Sequence, residues 1–119
     1  MSDACVELEL LFIVVKDYHQ RDQILEGFLE LGISGATVIE ARGMAQVLAR
    51  DVPIFAGLSS LFPGGQNDSH LIVSVLPVAR HAEVGRLVED VTGGFDKPGS
   101  GIMFAVPVTA VSGLAEFIC

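Results

Sequence analysis

VELELLFIVV, residues Val6–Val15, is the strongest strand signal in this 119-residue chain. Apolar residues alternate with glutamates at its start and then become continuous, with Val, Ile and Phe prominent. A continuous apolar run of this length is typical of a strand that is buried on both faces. The stretch therefore predicts the central strand of a sheet.

The segment after this strand predicts a helix. Asp17 followed by Gln20 forms a capping-box pattern, and Gly32 can adopt the left-handed conformation that ends helices. Between them, apolar residues recur at helical spacing, namely Ile24, Leu25, Phe28 and Leu31. We expect this apolar stripe to pack on the sheet.

Three further strands and a second helix follow. ATVIEAR (Ala36–Arg42) alternates in polarity, which predicts a strand with one buried face. HLIVSVL (His70–Leu76) predicts a third strand that ends at Pro77, and IMFAVPV (Ile102–Val108) predicts a fourth. Pro107 indicates an edge position for the fourth strand. The second helix is indicated by a stripe of Val84, Leu87, Val88 and Val91.

The element order βαββαβ predicts an α+β fold, the ferredoxin-like sandwich, in one domain that spans residues 1–119. Two helices then cover one face of a four-stranded antiparallel sheet. The other face carries apolar side chains that a single chain leaves uncovered. Half of the residues are hydrophobic, and the mean hydropathy is +0.55. We therefore expect a homo-oligomer that buries this face.

The charge balance excludes some partners. With 15 acidic and 7 basic residues the formal net charge is −8, and nucleic-acid binding needs a basic face. The longest N-terminal apolar run, Leu10–Val15, follows glutamates and is too short for a signal peptide or a membrane span. We expect a cytoplasmic protein that is not embedded in a membrane.

The connection between the second and third strands, about residues 43–69, is far longer than the two to six residues that are usual. The start of this loop, MAQVLAR, is compatible with one or two helical turns. Its composition is apolar, with Val47, Leu48, Ile54, Phe55, Leu58, Leu61 and Phe62. Two interpretations stay open: the loop packs on its own assembly, or it docks on a protein partner.

The glycine-rich stretch TGGFDKPGSG, Thr92–Gly101, leads into the fourth strand. Glycine and proline at this density mark a plain connection or a loop whose backbone approaches a ligand closely. Backbone N–H groups in such loops can bind phosphate.

Neither a catalytic nor a metal-ligand pattern is present in the sequence. His19, His70 and His81 are far apart and lack ligand spacing, which predicts ordinary surface or loop histidines. Cys5 and Cys119 stand near the two ends and are expected to be free thiols. We expect a protein that is not an enzyme.

The chain resembles the PII signal-transduction family over roughly residues 8–112. The resemblance is carried by GISGATVIEARG (Gly32–Gly43), by HLIVSVLP, and by TGGFDKPGSGIMFAVPV, which is similar to the family's TGKIGDGKIFVLPV with about three extra residues. In the family the long loop is the T-loop, which docks on transporters, enzymes and regulators, and the glycine-rich stretch is the B-loop.

The resemblance implies a homotrimer in nitrogen regulation that binds a small anion or an adenine nucleotide such as ATP, ADP or AMP between subunits. The ligand-binding residues that it implies are Thr37, Arg42, Gly43, Gly93, Gly94, Lys97, Gly99, Ser100 and Gly101. Its protein partner, a transporter or an enzyme, would contact the apolar loop residues named above. The implied set includes neither catalytic nor metal-binding residues.

The chain departs from the family at its basic residues. Ile102 replaces the lysine before the family's IF, and Gly113 and Ala115 replace two arginines that clamp phosphate. Ser59 and Ser60 stand where the family has a modifiable tyrosine, and Gln46 is about one position away from the family's metal-binding glutamine. These departures predict modest nucleotide affinity with Lys97 as the chief cation.

A second hypothesis of a different class remains: a structural or metal-tolerance oligomer of ferredoxin-like fold, similar in shape to CutA proteins, that binds no nucleotide. Binding of phosphate by Gly93–Gly101 discriminates the two hypotheses.

Overall fold

The computed structural model describes residues 6–51, 54 and 68–114. The elements, in chain order, are β1 Leu8–Val15, α1 Tyr18–Glu30, β2 Thr37–Ala41, α2 Met44–Asp51, β3 Ser69–Pro77, α3 His81–Thr92 and β4 Gly101–Val108. A single 3-10 turn, Val78–Arg80, joins β3 to α3.

The four strands form one antiparallel sheet in the order β2-β3-β1-β4. The most apolar strand, β1, lies between β3 and β4, which confirms the central position that its composition predicts. Pro107 lies in β4 at the edge of the sheet, where a residue without an N–H group is tolerated. The α+β, ferredoxin-like fold is confirmed.

The strand register decides which residues share a face. Glu40, His70, Val15 and Gly101 are paired across the four strands, one residue from each. The third row beyond it, Thr37, Val73, Phe12 and Phe104, lies on the opposite face because successive side chains in a strand alternate between faces. The first of these rows lies at the end of the sheet next to the long connection and the glycine-rich segment; we call this the loop-side end.

The core lies between one face of the sheet and helices α1 and α3. Its buried members from the sheet are Leu11, Ile13, Val15, Ile72 and Leu76, and those from the helices are Ile24, Phe28, Val84 and Val88. The four helix members belong to the two predicted stripes, whose other members, Leu25, Leu31, Leu87 and Val91, are partly buried against this core. Burying each side chain of this size stabilises the fold by about 1.5–3 kcal/mol.

Both ends of α1 follow the sequence prediction. Asp17 is the N-cap, and its Oδ1 accepts a hydrogen bond from the backbone N–H of His19 at 2.8 Å. Gly32 has φ 79°, the left-handed conformation that is common just beyond helix ends.

The prediction of one buried face for β2 is wrong. Thr37, Val38, Ile39 and Glu40 are all exposed. The reason is the position of β2 at the edge of the sheet, beyond the area that α1 and α3 cover. Alternating polarity indicates which side chains of a strand share a face, but it does not show whether another element covers that face.

The long connection begins with α2, which confirms the helical turns predicted from MAQVLAR. Of the predicted docking residues, Val47 and Leu48 are half-buried and Ile54 is exposed. The others, Phe55, Leu58, Leu61 and Phe62, lie outside the described residues, as do Cys5, Ser59, Ser60, Ala115 and Cys119. Within the described ranges, every helix is too short or too polar to cross a membrane.

Candidate functional site

The glycine-rich segment between α3 and β4 uses left-handed backbone repeatedly. Gly93 ends α3 with φ 79°, and Gly94 follows with φ 94°. The Oγ1 of Thr92 donates to Val88 O at 2.7 Å and accepts from the N–H of Gly94 at 3.1 Å. It therefore links the last turn of α3 to Gly94. Residues with side chains rarely adopt such φ values, so glycine is needed at both positions.

The second half of this segment is a tight turn. The backbone N–H and the hydroxyl of Ser100 both donate to Lys97 O, at 3.2 and 2.7 Å. Gly99, inside the turn, has φ 76°. The side chain of Lys97 is exposed, so its ammonium is accessible to an anion.

Gly101 joins the turn to the sheet at a point of close contact. A Cβ at this position would lie 2.4 Å from Val14 O and 2.6 Å from a ring carbon of Phe95. Its φ of 148° is a further conformation that side chains disfavour. The start of β4 therefore depends on glycine for both space and backbone angle.

The base of the long loop is a second polar cluster, defined here as Lys16, Gly43, Gln46, Asp68 and Ser69. Lys16 Nζ donates to Ser69 Oγ at 2.8 Å, and a Cβ on Gly43 would lie 3.2 Å from the same nitrogen. Gln46 is fully buried, and its Nε2 donates to Asp68 Oδ1 at 2.6 Å. The cluster ties the beginning of the loop to its end.

A third cluster, on α1, β2 and β3, was missed in the sequence. His70 is 8% exposed, which corrects the expectation of a surface or loop histidine. Its Nδ1 lies 2.7 and 2.9 Å from the two Glu40 oxygens, and Arg21 lies 3.2 Å from Glu40 Oε1. A hydrogen bond with Asp22 is the main cause of a raised Arg21 pKa, and the Glu40 charge adds to it.

The other histidines also have defined contacts. His81 Nδ1 lies 2.5 Å from Oε2 of Glu9, which is a buried carboxylate. The His19 ring lies against the Tyr18 ring, with centroids 4.1 Å apart and the ring planes tilted by 32°. In the part of the chain that the structure describes, His, Cys, Asp and Glu side chains form no group of three or more suited to a metal ion.

A cleft of about 730 Å³ lies on the β2 side of the molecule. Thr37 lines it together with Gly35, Ala36, Val73 and Arg80. Leu10, Gly113 and Leu114 line it as well, so the cleft extends from β2 towards β1 and the segment after β4. Thr37 and the glycine-rich segment lie at opposite edges of the sheet, because β2 and β4 are the two edge strands. Within one chain, Thr37 is therefore not brought next to Gly93–Gly101.

The other predicted ligand-binding residues share one end of the sheet. Arg42 and Gly43 follow β2 directly, and Gly101 begins β4 in the same row as His70 and Glu40. Strands β3 and β1 lie between Arg42 and Gly43 on one side and Gly101 on the other. Arg42 is exposed.

The sheet face opposite the helices is mostly apolar, with Thr37 of β2 as a polar member. It carries Leu10, Phe12, Val14, Ile39, Leu71, Val73, Val75, Ile102, Phe104 and Val106. We call this set the open face. Ile102, Phe104 and Val106 remain 53%, 44% and 42% exposed. The Phe12 and Phe104 rings stack with centroids 4.7 Å apart.

Comparison with known proteins identifies the fold. The chain matches no protein-family model, and no curated protein matches it. Among solved structures it is similar to PII of Arabidopsis thaliana bound to citrate, with a TM-score of 0.59 and 17% identity over 87% of this chain and 78% of that one. The chain has a PII-like fold.

A second similar structure is a protein of unknown function from Pediococcus pentosaceus, with a TM-score of 0.63 and 12% identity over 92% of this chain and all of that one. The family resemblance drawn from the sequence is thus supported at the level of the fold. Among the described residues, the PII-like fold leaves Ile102, Phe104 and Val106 of the open face exposed and separates Thr37 from the glycine-rich segment.

Proposed function

We propose that this chain is a homotrimeric, cytoplasmic PII-like regulatory protein. It binds a small anion or an adenine nucleotide in clefts between subunits, and it controls a partner protein through the loop at residues 43–69. By its resemblance to the PII family, nitrogen regulation is the pathway class we propose. The glycine-rich segment and the loop-base cluster of Lys16, Gly43, Gln46, Asp68 and Ser69 supply the polar groups for this function.

The observation that supports the proposal is that the residues expected to bind the ligand lie at the two edges of the sheet. Thr37 lines the cleft on β2, and the glycine-rich segment precedes β4. Copies that pack through their open faces can bring the β2 edge of one chain to the β4 edge of the next. Such packing also removes from water the exposed side chains of Ile102, Phe104 and Val106.

The glycine-rich segment suits an anionic group. It shares left-handed glycines with anion-binding loops, although the N–H groups of Gly93, Gly94 and Ser100 donate to acceptors within the chain. Lys97 adds an accessible cation, and Arg42 lies at the same end of the sheet. The citrate bound to the similar Arabidopsis protein is an anion as well. With Ile102 and Gly113 in place of basic residues and a net charge of −8, affinity for a triphosphate is modest.

The long loop suits a protein partner. It begins with α2, on which Val47 and Leu48 are half-buried, and Ile54 beyond it is 78% exposed. Apolar side chains on a long connection are a recognition surface. A transporter or an enzyme is the class of partner that we propose.

A thermal-shift panel tests the ligand. ATP, ADP, AMP and citrate are titrated against the protein, since a specific ligand raises the melting temperature by mass action. We expect a rise with at least one of them, and Lys97→Ala should weaken its binding by about 1.5–3 kcal/mol. Arg86→Ala, which removes an exposed cation from α3, is the matched control and should bind normally.

The result also separates the two hypotheses. A melting temperature that none of these compounds changes would argue for the structural, CutA-like alternative. Equal affinity in wild type and Lys97→Ala would show that the Lys97 ammonium faces solvent in the complex.

A further inference from the structure

A second cavity, of about 480 Å³, lies at the end of the sheet opposite the loop-side end. Strand β1 begins there and β4 ends there, and Glu9 lies opposite Pro107 in the register of the two strands. The 3-10 turn after β3 supplies another wall through Val78, whose N–H donates to Glu7 O at 2.9 Å. The proposed function makes no use of this cavity.

The walls of the cavity are largely apolar. They include Leu8, Val78, Ala105, Val106 and Pro107. Val78 and Val106 are 41% and 42% exposed, so they present apolar surface that a ligand can cover. Because removing such surface from water is favourable, the walls favour a ligand with an apolar part.

The polar side chains of the cavity are both carboxylates, Glu7 and Glu9. An ionised carboxylate only accepts hydrogen bonds, and Pro107 in the same wall has no N–H group to donate. In the part of the chain that the structure describes, neither lysine nor arginine lines this cavity. The polar side chains therefore favour a ligand that donates hydrogen bonds and carries a positive charge.

Glu9 is the independent observation that points to a ligand. The residue is 7% exposed, and buried polar atoms normally have hydrogen-bond partners. His81 Nδ1 lies 2.5 Å from Oε2 of this carboxylate, whereas Oε1 accepts no hydrogen bond from any described residue. His81 therefore holds the carboxylate and leaves one oxygen for a donor from outside the chain.

We propose that this cavity binds a small aliphatic amine as its primary ammonium ion. The ammonium group donates to Glu9 Oε1 and lies close to the Glu7 carboxylate, and the alkyl chain covers the exposed surface of Val78 and Val106. An alkylammonium has N–H donors and no acceptor, which matches a cavity whose polar side chains only accept. The site takes a cation at the end of the sheet opposite the glycine-rich segment, so the inference goes beyond the proposed function.

A chain-length series tests the ligand class. Methyl-, ethyl-, n-propyl- and n-butylammonium chloride are titrated against the full-length protein at constant ionic strength, and binding is followed by NMR. Affinity should rise by up to about fourfold for each added CH₂ group, because each one covers more of the apolar walls. The amide resonances of Val78 and Ala105 should shift, and those of Gly99 and Ser100 should not.

Two control compounds separate the contributions of charge and chain. n-Butanol has the chain without the charge, and ammonium chloride has the charge without the chain. Each should bind at least about tenfold more weakly than n-butylammonium.

Two carboxamide variants test the acidic side chains. Glu9→Gln keeps the size of the side chain and an oxygen for His81 but removes the charge, and it should weaken n-butylammonium binding at least about tenfold. Glu7→Gln, at an exposed position, should weaken binding about two- to fivefold. Glu26→Gln, on the exposed face of α1, is the matched control for loss of one negative charge and should bind as wild type does.

The outcomes are distinct. An affinity that does not depend on chain length overturns the inference, and so do equal affinities of wild type and both carboxamide variants or shifts confined to the glycine-rich segment. If Glu9→Gln does not fold, Glu7→Gln and the chain-length series still decide. Binding of n-butylammonium without a response to ATP, ADP, AMP or citrate would reject the proposed function and keep this inference, and the reverse result would do the opposite.

Discussion

At the scale of single residues, the glycines divide into those that the structure requires and those that it tolerates. Gly101 has a φ of 148°, and a Cβ on it would lie 2.4 Å from Val14 O. Gly85, inside α3, has open space around it and no positive φ. Their substitutions are therefore predicted to have opposite signs.

Gly101→Ala should destabilise the fold. The backbone conformation alone costs about 1–3 kcal/mol for a residue with a side chain, and the contact with a backbone oxygen cannot be relieved by a rotamer change. Gly85→Ala should stabilise by about 0.5–1 kcal/mol, because alanine has the higher helix propensity. Urea unfolding of both variants measures the two free energies. Equal stability of Gly101→Ala and wild type would contradict the geometry at the start of β4.

The residue scale also contains what sequence reasoning missed. The carboxylate against His70 is that of Glu40, 30 positions earlier in the chain. Only the pairing of β2 with β3 places these two side chains opposite each other. No spacing rule along the chain contains that information.

At the scale of elements, local signals had most of their predictive power at helix ends. Asp17, Gly32 and Gly93 all mark boundaries because caps and left-handed glycines act within a few residues. The exposure of β2 had no such local signal, since it depends on how far two helices extend over the sheet.

Asp17→Ala should destabilise the protein by about 1 kcal/mol, because it removes the acceptor for the His19 N–H at the start of α1. Glu26→Ala, an exposed position in the middle of the same helix, is the control and should change stability by less than about 0.5 kcal/mol. Thermal unfolding followed by circular dichroism compares them. A larger loss in Glu26→Ala than in Asp17→Ala would show that the cap is not what stabilises this end.

At the scale of the whole molecule, the open face governs behaviour. Apolar side chains of all four strands share this face, and Ile39, Ile102, Phe104 and Val106 on it are exposed, which is typical of a contact surface. Its position opposite the helices also means that a charge placed there leaves the core between sheet and helices intact.

Phe104→Glu is predicted to dissociate the proposed trimer, because burying the new carboxylate at a subunit contact is unfavourable. Phe104 is 44% exposed within one chain, so the monomer should still fold. Leu29→Glu, at an apolar residue of α1 that is 69% exposed, should leave assembly unchanged. Light scattering distinguishes the monomer mass of 12.6 kDa from the trimer. A Phe104→Glu protein with the mass of wild type would place the subunit contact elsewhere.

The sequence by itself determined the element order, the caps of α1, the central place of β1, the edge place of β4 and the helix at the start of the long connection. Each of these follows from periodicity, composition or backbone preference, which act over a few residues. Tertiary structure alone decided that β2 is exposed, that Glu40 and Arg21 meet His70, that Lys16 reaches Ser69, and that Thr37 lies across the sheet from the glycine-rich segment. These relations depend on strand order and register. The contact of Arg21 with Glu40 joins residues 19 positions apart, and that of Lys16 with Ser69 joins residues 53 positions apart.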